Sequence, residues 1–148
     1  MTKEEFMSVV KVSDKYYSKK KSDHAMSVMN YVLLDPRYEL MTDEEKNMVA
    51  AIAYAHDVIE DTKCSWSELE AGINNDEDCR QFYLALDLLT RRHEMTYYDY
   101  IETIVKSKNL FAIMVKQADM KDHLIRKSTL TKKLKEKYEP VMPMLLRA

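Results

Sequence analysis

Apolar residues recur at three- and four-residue spacing through most of this chain, which predicts a succession of helices. Residues 3–17 read as a first helix, with Phe6, Val9, Val10, Tyr16 and Tyr17 at its apolar positions. "KKKSD" reads as a short break, with Ser22 or Asp23 capping the next helix. "HAMSVMNYVLL" is that second helix, stopped by Asp35-Pro36. Thr42 and Glu45 form a capping box that opens "KNMVAAIAYAHDVIED", a strongly apolar helix expected to run through the core. "TKCSWSELEAG" reads as a loop and a short helix. Asn75 or Asp76 starts "DCRQFYLALDLLTRR", with a stripe of Phe82, Leu84, Ala85, Leu88 and Leu89. Thr96 begins "YYDYIETIVKS", Asn109 begins "LFAIMVKQADMKDHLIR", and a last helix, "TKKLKEKYEPVMPMLL", is interrupted near Pro140.

The predicted fold is therefore an all-α, single-domain bundle over residues 1–148, with no repeat or linker. Composition agrees. The chain is 46% hydrophobic and 32% charged, which suits a folded domain, and a single glycine with three prolines leaves few turn formers for a many-stranded sheet. Its eleven methionines read as gap fillers in the core. Cys64 and Cys79 make no disulfide framework and have no close cysteine partner at zinc spacing, so they read as reduced thiols of a cytoplasmic protein. No signal-peptide core opens the chain and no apolar run reaches membrane-spanning length, so no membrane association is expected.

The net charge of −2 hides an uneven distribution. Acids dominate residues 42–80, opposed only by Lys46, Lys63 and Arg80. Lys11, Lys15, Lys19, Lys20 and Lys21 crowd residues 11–21, and Lys132, Lys133, Lys135 and Lys137 form a second basic run, read first as a solvated helix face. Such a split suits an acidic cation site beside basic segments that meet an anionic ligand. With no basic excess and no recognised binding motif, nucleic acid is not expected as a partner.

The candidate chemistry lies in "AYAHDVIEDT". On one continuous helix His56 and Glu60 share a face and Asp57 with Asp61 form the adjacent column. Carboxylates so close to a buried face, at a helix C-terminus that disfavours them, are costly unless a cation compensates. Either this is a solvated helix end or it holds a metal. A metal needs more ligands, and His24 and Asp119 are the candidates, the latter set among Ala112, Ile113, Val115 and Ala118 in an otherwise apolar helix. Two imidazoles and two carboxylates suit Mn²⁺, Fe²⁺ or Zn²⁺, with positions open for water and phosphate.

The order His24, then His56-Asp57, then Asp119 resembles the HD phosphohydrolase superfamily. "HDVIEDT" is similar to the hydrolase domain of the RelA/SpoT-type alarmone enzymes and their small single-domain relatives; "LTR" with Tyr97, Tyr100 and Ile101, "VKQADMKDHL" and "LTKKLKEKYEPVM" extend the resemblance over most of residues 8–145. It implies metal-dependent hydrolysis of the 3′-pyrophosphate of (p)ppGpp, giving GDP or GTP and pyrophosphate, without synthesis. It assigns the metal, usually Mn²⁺, to His24, His56, Asp57 and Asp119, and positioning or deprotonation of the attacking water to Glu60 and Asp61. Lys20 and Lys21 are the candidate phosphate contacts. Three departures stand out. Ala25 follows His24 where the family has proline, the preceding loop is compressed to "YYSKKKSD", and His123 replaces an asparagine near the expected substrate, where it could add a ligand, act as an acid or mark another substrate. The rival readings are hydrolysis of another nucleotide (a dNTP, a cyclic nucleotide or a nicotinamide phosphate) and a non-catalytic nucleotide-binding module. A homo-oligomer is left open.

Overall fold

The computed structural model describes residues 1–126 and 131–148. Every regular element among them is helical: α1 (Lys3–Tyr16), α2 (Lys19–Leu33), α3 (Pro36–Glu39), α4 (Asp43–Ala55), α5 (Val58–Asp61), α6 (Trp66–Glu70), α7 (Asp76–Leu89), α8 (Tyr97–Ser107), α9 (Leu110–Ile125), α10 (Lys132–Tyr138) and α11 (Met142–Leu146). Leu130, the first residue of "LTKKLKEKYEPVM", lies outside the described residues.

Local signals set most boundaries. Thr2 with Glu5 and Thr42 with Glu45 form reciprocal capping boxes, and Asn75, Thr96, Asn109 and Thr131 each accept a first-turn backbone N–H. The "KKKSD" break is not observed. Ser18 accepts the Lys21 backbone N–H and starts α2 at Lys19, so the basic run is the first turn of a helix and His24 lies inside it. One strong cap placed earlier outcompetes Ser22 and Asp23.

Two helices form the interior. Met48 to Ala55 of α4 are all buried, and so is every residue of α9 from Ala112 to Met120. A helix apolar around its whole circumference must be covered on several sides. α1, α2, α7 and α9 pack on α4, while α2, α4, α7, α8, α10 and α11 pack on α9. Ala50, Ala51, Ala53 and Ala55 carry small side chains that let these neighbours approach closely. The stripe expected on α7 needs one correction: Leu84 is exposed, and Leu86 is buried in its place. Gly72, after α6, also marks a close approach, because a Cβ there would lie 2.6 Å from Ser8 Cβ on α1. No helix among the described residues is long and apolar enough to cross a membrane.

Candidate metal centre

The continuous helix expected over residues 46–61 is broken. α4 ends at Ala55, and Asp57 (φ −101°, ψ −6°) sits in the joint before the single turn of α5. Aspartate is a good N-cap, yet Asp57 makes no side-chain capping bond to α5. Its carboxylate instead stands 3.3 Å from His56 Nε2 and 3.7 Å from His24 Nε2. The two-column picture is corrected accordingly. His56 is buried, while Glu60 and Asp61 face solvent on α5.

α2, the α4–α5 joint and α9 bring His24, His56, Asp57 and Asp119 to one point. Asp119 Oδ1 lies 2.9 Å from His24 Nε2 and 3.5 Å from His56 Nε2, although His24 and Asp119 are 95 residues apart in the chain. The ligand atoms of His24, His56 and Asp57 lie within 4.8 Å of one another, as do those of His24, Asp119 and His123. All four predicted ligands thus meet at one centre.

The tautomers are fixed from behind. His56 Nδ1–H donates to the Ala53 carbonyl at 2.8 Å, which turns Nε2 inward. That Nε2 is buried without a hydrogen-bond partner, facing two carboxylates. Its lone pair would repel both, so the position calls for a proton or a cation. Protons alone can meet this demand. Burial opposes charging His56, but Asp57 and Asp119 outweigh it and raise its pKa well above the usual range. His24 is raised in the same way against burial, by Asp119 first. The carboxylates move oppositely. Burial resists, yet Asp57 is lowered to about 2, chiefly by His56, and Asp119 falls well below the carboxylate range, chiefly through Lys116 at 2.7 Å.

Asp122, not singled out from the sequence, completes the shell. It is buried, and its Oδ2 accepts from His24 Nδ1 at 2.7 Å, which orients His24 Nε2 toward the centre as Ala53 does for His56. Arg126 Nη2 reaches Asp122 Oδ1 at 3.1 Å and Ser27 Oγ at 2.6 Å, holding that carboxylate in place. The signal was its placement one turn beyond Asp119 on the same helix face. Lys116 is buried and forms an ion pair with Asp119.

His123 differs from the other two imidazoles. Its Nδ1 is buried with no acceptor behind it. The proton therefore belongs on Nε2, 3.3 Å from Asp119 Oδ1, and the ring lies 4.6 Å from that of His24. There it can donate to Asp119 or to a bound ligand, and it also stands close enough to His24 and Asp119 to share a cation with them. His93, the fourth histidine, is exposed and apart from the centre.

Above the centre opens a cleft of about 440 Å³, a volume suited to a small-molecule ligand. Its walls include every site residue read from the sequence except His56, which lines an adjoining lobe. Lys21 Nζ pairs with Asp61 at 2.5 Å, while Lys20 is exposed at the rim. Glu60 Oε1 accepts the Arg91 backbone N–H at 2.8 Å. Burial, helped by Asp61 and Asp57, pushes the Glu60 carboxyl up. The fit for a divalent cation rests on inward-facing Nε2 atoms, fixed tautomers and two ionised carboxylates.

No family model, no curated protein and no solved structure matches this chain.

Proposed function

We propose that this protein is a metal-dependent phosphohydrolase of the HD type, acting on a nucleotide (pyro)phosphate ester, with (p)ppGpp as the substrate implied by its sequence resemblance. The observation that carries the reading is the buried Nε2 of His56, without a hydrogen-bond partner and aimed between Asp57 and Asp119 beneath an open cleft. His24, His56, Asp57 and Asp119 would hold Mn²⁺, Fe²⁺ or Zn²⁺. Such an ion supplies an acidified water and draws charge from a phosphoryl oxygen.

The chain's own groups do the rest. Glu60 takes the proton of the attacking water, because its raised pKa suits proton transfer closer to neutrality and Arg91 N–H holds it in place. Asp61, tied to Lys21, positions the lysine at the cleft wall. His123 presents an N–H beside Asp119, where a phosphoryl oxygen would approach. In the proposed reaction, the water oxygen bonds to the phosphorus attached to the ribose 3′-oxygen. The bond from that phosphorus to the 3′-oxygen breaks, the 3′-oxygen ends protonated, and pyrophosphate leaves.

The test is metal-stripped protein incubated with ppGpp, with and without added Mn²⁺, resolved by anion-exchange chromatography. GDP and pyrophosphate in equal amounts, formed only with Mn²⁺, are expected. Turnover of a dNTP, a cyclic nucleotide or a nicotinamide phosphate with ppGpp untouched would move the substrate within the class. Stoichiometric metal binding with no turnover of any of them would leave a binding module.

A further inference from the structure

The break between α4 and α5 releases backbone groups that a continuous helix would have paired. In an unbroken helix the Asp57 N–H would bond to the Ala53 carbonyl. That carbonyl instead accepts from His56 Nδ1 at 2.8 Å. An amide released from a helix must find another acceptor. Tyr17 stands at this point. Its Oη donates to the Tyr54 carbonyl at 2.7 Å, in a buried bond between residues 37 apart in the chain. Burial and the Asp57 carboxylate raise the Tyr17 pKa, while the Asp57 backbone N–H, donating to the same phenolic oxygen, lowers it. One hydroxyl thus takes a carbonyl from the last turn of α4 and an amide from the joint, and so spans the break.

The phenol is held firmly enough to do this. Tyr17 is buried, and its ring packs on the tilted ring of Tyr54 with centroids 5.9 Å apart. Its own backbone is the C-cap of α1, with the N–H bonded to Ser13 O at 3.0 Å, and the next residue, Ser18, is the N-cap of α2. α2 carries His24. Tyr17 therefore lies between the start of the helix that presents His24 and the joint that presents Asp57, two residues whose ligand atoms lie within 4.8 Å of each other.

We infer that Tyr17 is a positioning residue for Asp57: its hydroxyl holds the break between α4 and α5 and so keeps the Asp57 carboxylate turned toward His24 and His56. The inference rests on the metal-dependent reading for the use of that carboxylate, while the hydrogen bonds at the joint stand apart from it. Without the hydroxyl, the Asp57 N–H and the Tyr54 carbonyl lose a fixed partner. The joint then samples other backbone angles, and the carboxylate faces the two imidazoles for less of the time.

The test is Tyr17→Phe, which keeps the ring and removes the hydroxyl. Tyr54→Phe is the control, because Tyr54 Oη donates to Asp14 on α1 rather than to the joint. Amide hydrogen exchange is followed by NMR on metal-free protein, and Mn²⁺ binding by titration calorimetry. The wild-type Asp57 amide is expected to be protected about tenfold or more over a free peptide. Tyr17→Phe should remove that protection, leave the Ile52 amide of α4 protected, and weaken Mn²⁺ about tenfold at unchanged stoichiometry. Tyr54→Phe should change Asp57 protection and Mn²⁺ affinity less than twofold. An Asp57 amide that exchanges freely in wild type overturns the positioning role, and so does a Tyr17→Phe protein with unchanged Asp57 protection or unchanged Mn²⁺ affinity. Equal loss of protection at Ile52 and Asp57 also overturns it, since the hydroxyl would then be a general support of the fold. A wild type that binds no Mn²⁺, with Asp57 protection still dependent on Tyr17, supports the hold on Asp57 and sinks the metal-dependent hydrolase reading instead.

Discussion

At the residue scale, a hydrogen bond behind each imidazole decides what that imidazole can do. His56 has Ala53 O and His24 has Asp122, while His123 Nδ1 has nothing. The two backed imidazoles turn Nε2 inward, where it carries a proton or could meet a cation, while His123 Nε2 stands beside Asp119. Asp122→Asn replaces the anionic acceptor of His24 and weakens the pair with Arg126. Its expected effect is a 10–100-fold loss of Mn²⁺ affinity with the fold retained, read by calorimetry and far-UV circular dichroism. Unchanged affinity would show that Asp122 does not orient His24. From sequence alone, His24, His56, Asp57 and Asp119 were legible because each is a costly residue in a pattern with an established order. Asp122 was not, since one more acid on a helix with Lys121 and Arg126 nearby reads as surface charge.

At the element scale, caps were legible and interruptions were not. Capping is a local bargain between a side chain and backbone N–H groups three residues on, so Thr42, Asn75, Thr96 and Asn109 could be read directly. The break at His56–Asp57 carries no proline or glycine. It exists because both side chains gain more from facing His24 and Asp119 than from continuing the helix, a gain supplied by elements distant in sequence. Apart from Gly72 just past α6, the helix ends also lack glycine. Lys108, between α8 and α9, adopts a left-handed conformation (φ 56°, ψ 19°), which strains a residue bearing a Cβ. Lys108→Gly is expected to stabilise the protein by about 0.5–1 kcal/mol in urea unfolding, because relieving that strain outweighs the added freedom of the unfolded chain. A loss of stability of similar size would mean the Lys108 side chain contributes contacts that matter more.

At the scale of the whole molecule, the buried charges couple folding to pH and to metal. Unfolded histidine titrates near about 6.5, and His24 and His56 are raised above that in the fold. Their contribution is complete below about pH 6.5 and is lost as pH rises through the folded values. Asp57 and Asp119 are lowered, so their contribution is present above about pH 3.9 and is lost as pH falls through the folded values, about 2 for Asp57. Metal-free protein should therefore show a Tm that declines from about pH 6 toward alkaline pH. Mn²⁺ bound as proposed would displace the imidazole protons, so the Tm increment it gives should grow over the same range. Thermal melts followed by circular dichroism at stepped pH, with and without Mn²⁺, check both signs. A flat metal-free profile with no Mn²⁺ increment would argue against a protonated, metal-exchangeable centre.

The sequence by itself determined the helical class, most helix starts, the buried character of α4 and α9, and which four costly side chains would converge. These come from periodicity, capping and the cost of burying charge, all of which act within a few residues. Only the tertiary structure decided that the helix breaks at Asp57, that Asp122 backs His24, that His123 stands beside Asp119, and that Arg91, Lys116 and Lys137 surround Tyr97. The physical reason is distance along the chain. A hydrogen bond from His24 to Asp122 spans 98 residues, and nothing in the local pattern of either helix records which side chain will stand opposite it.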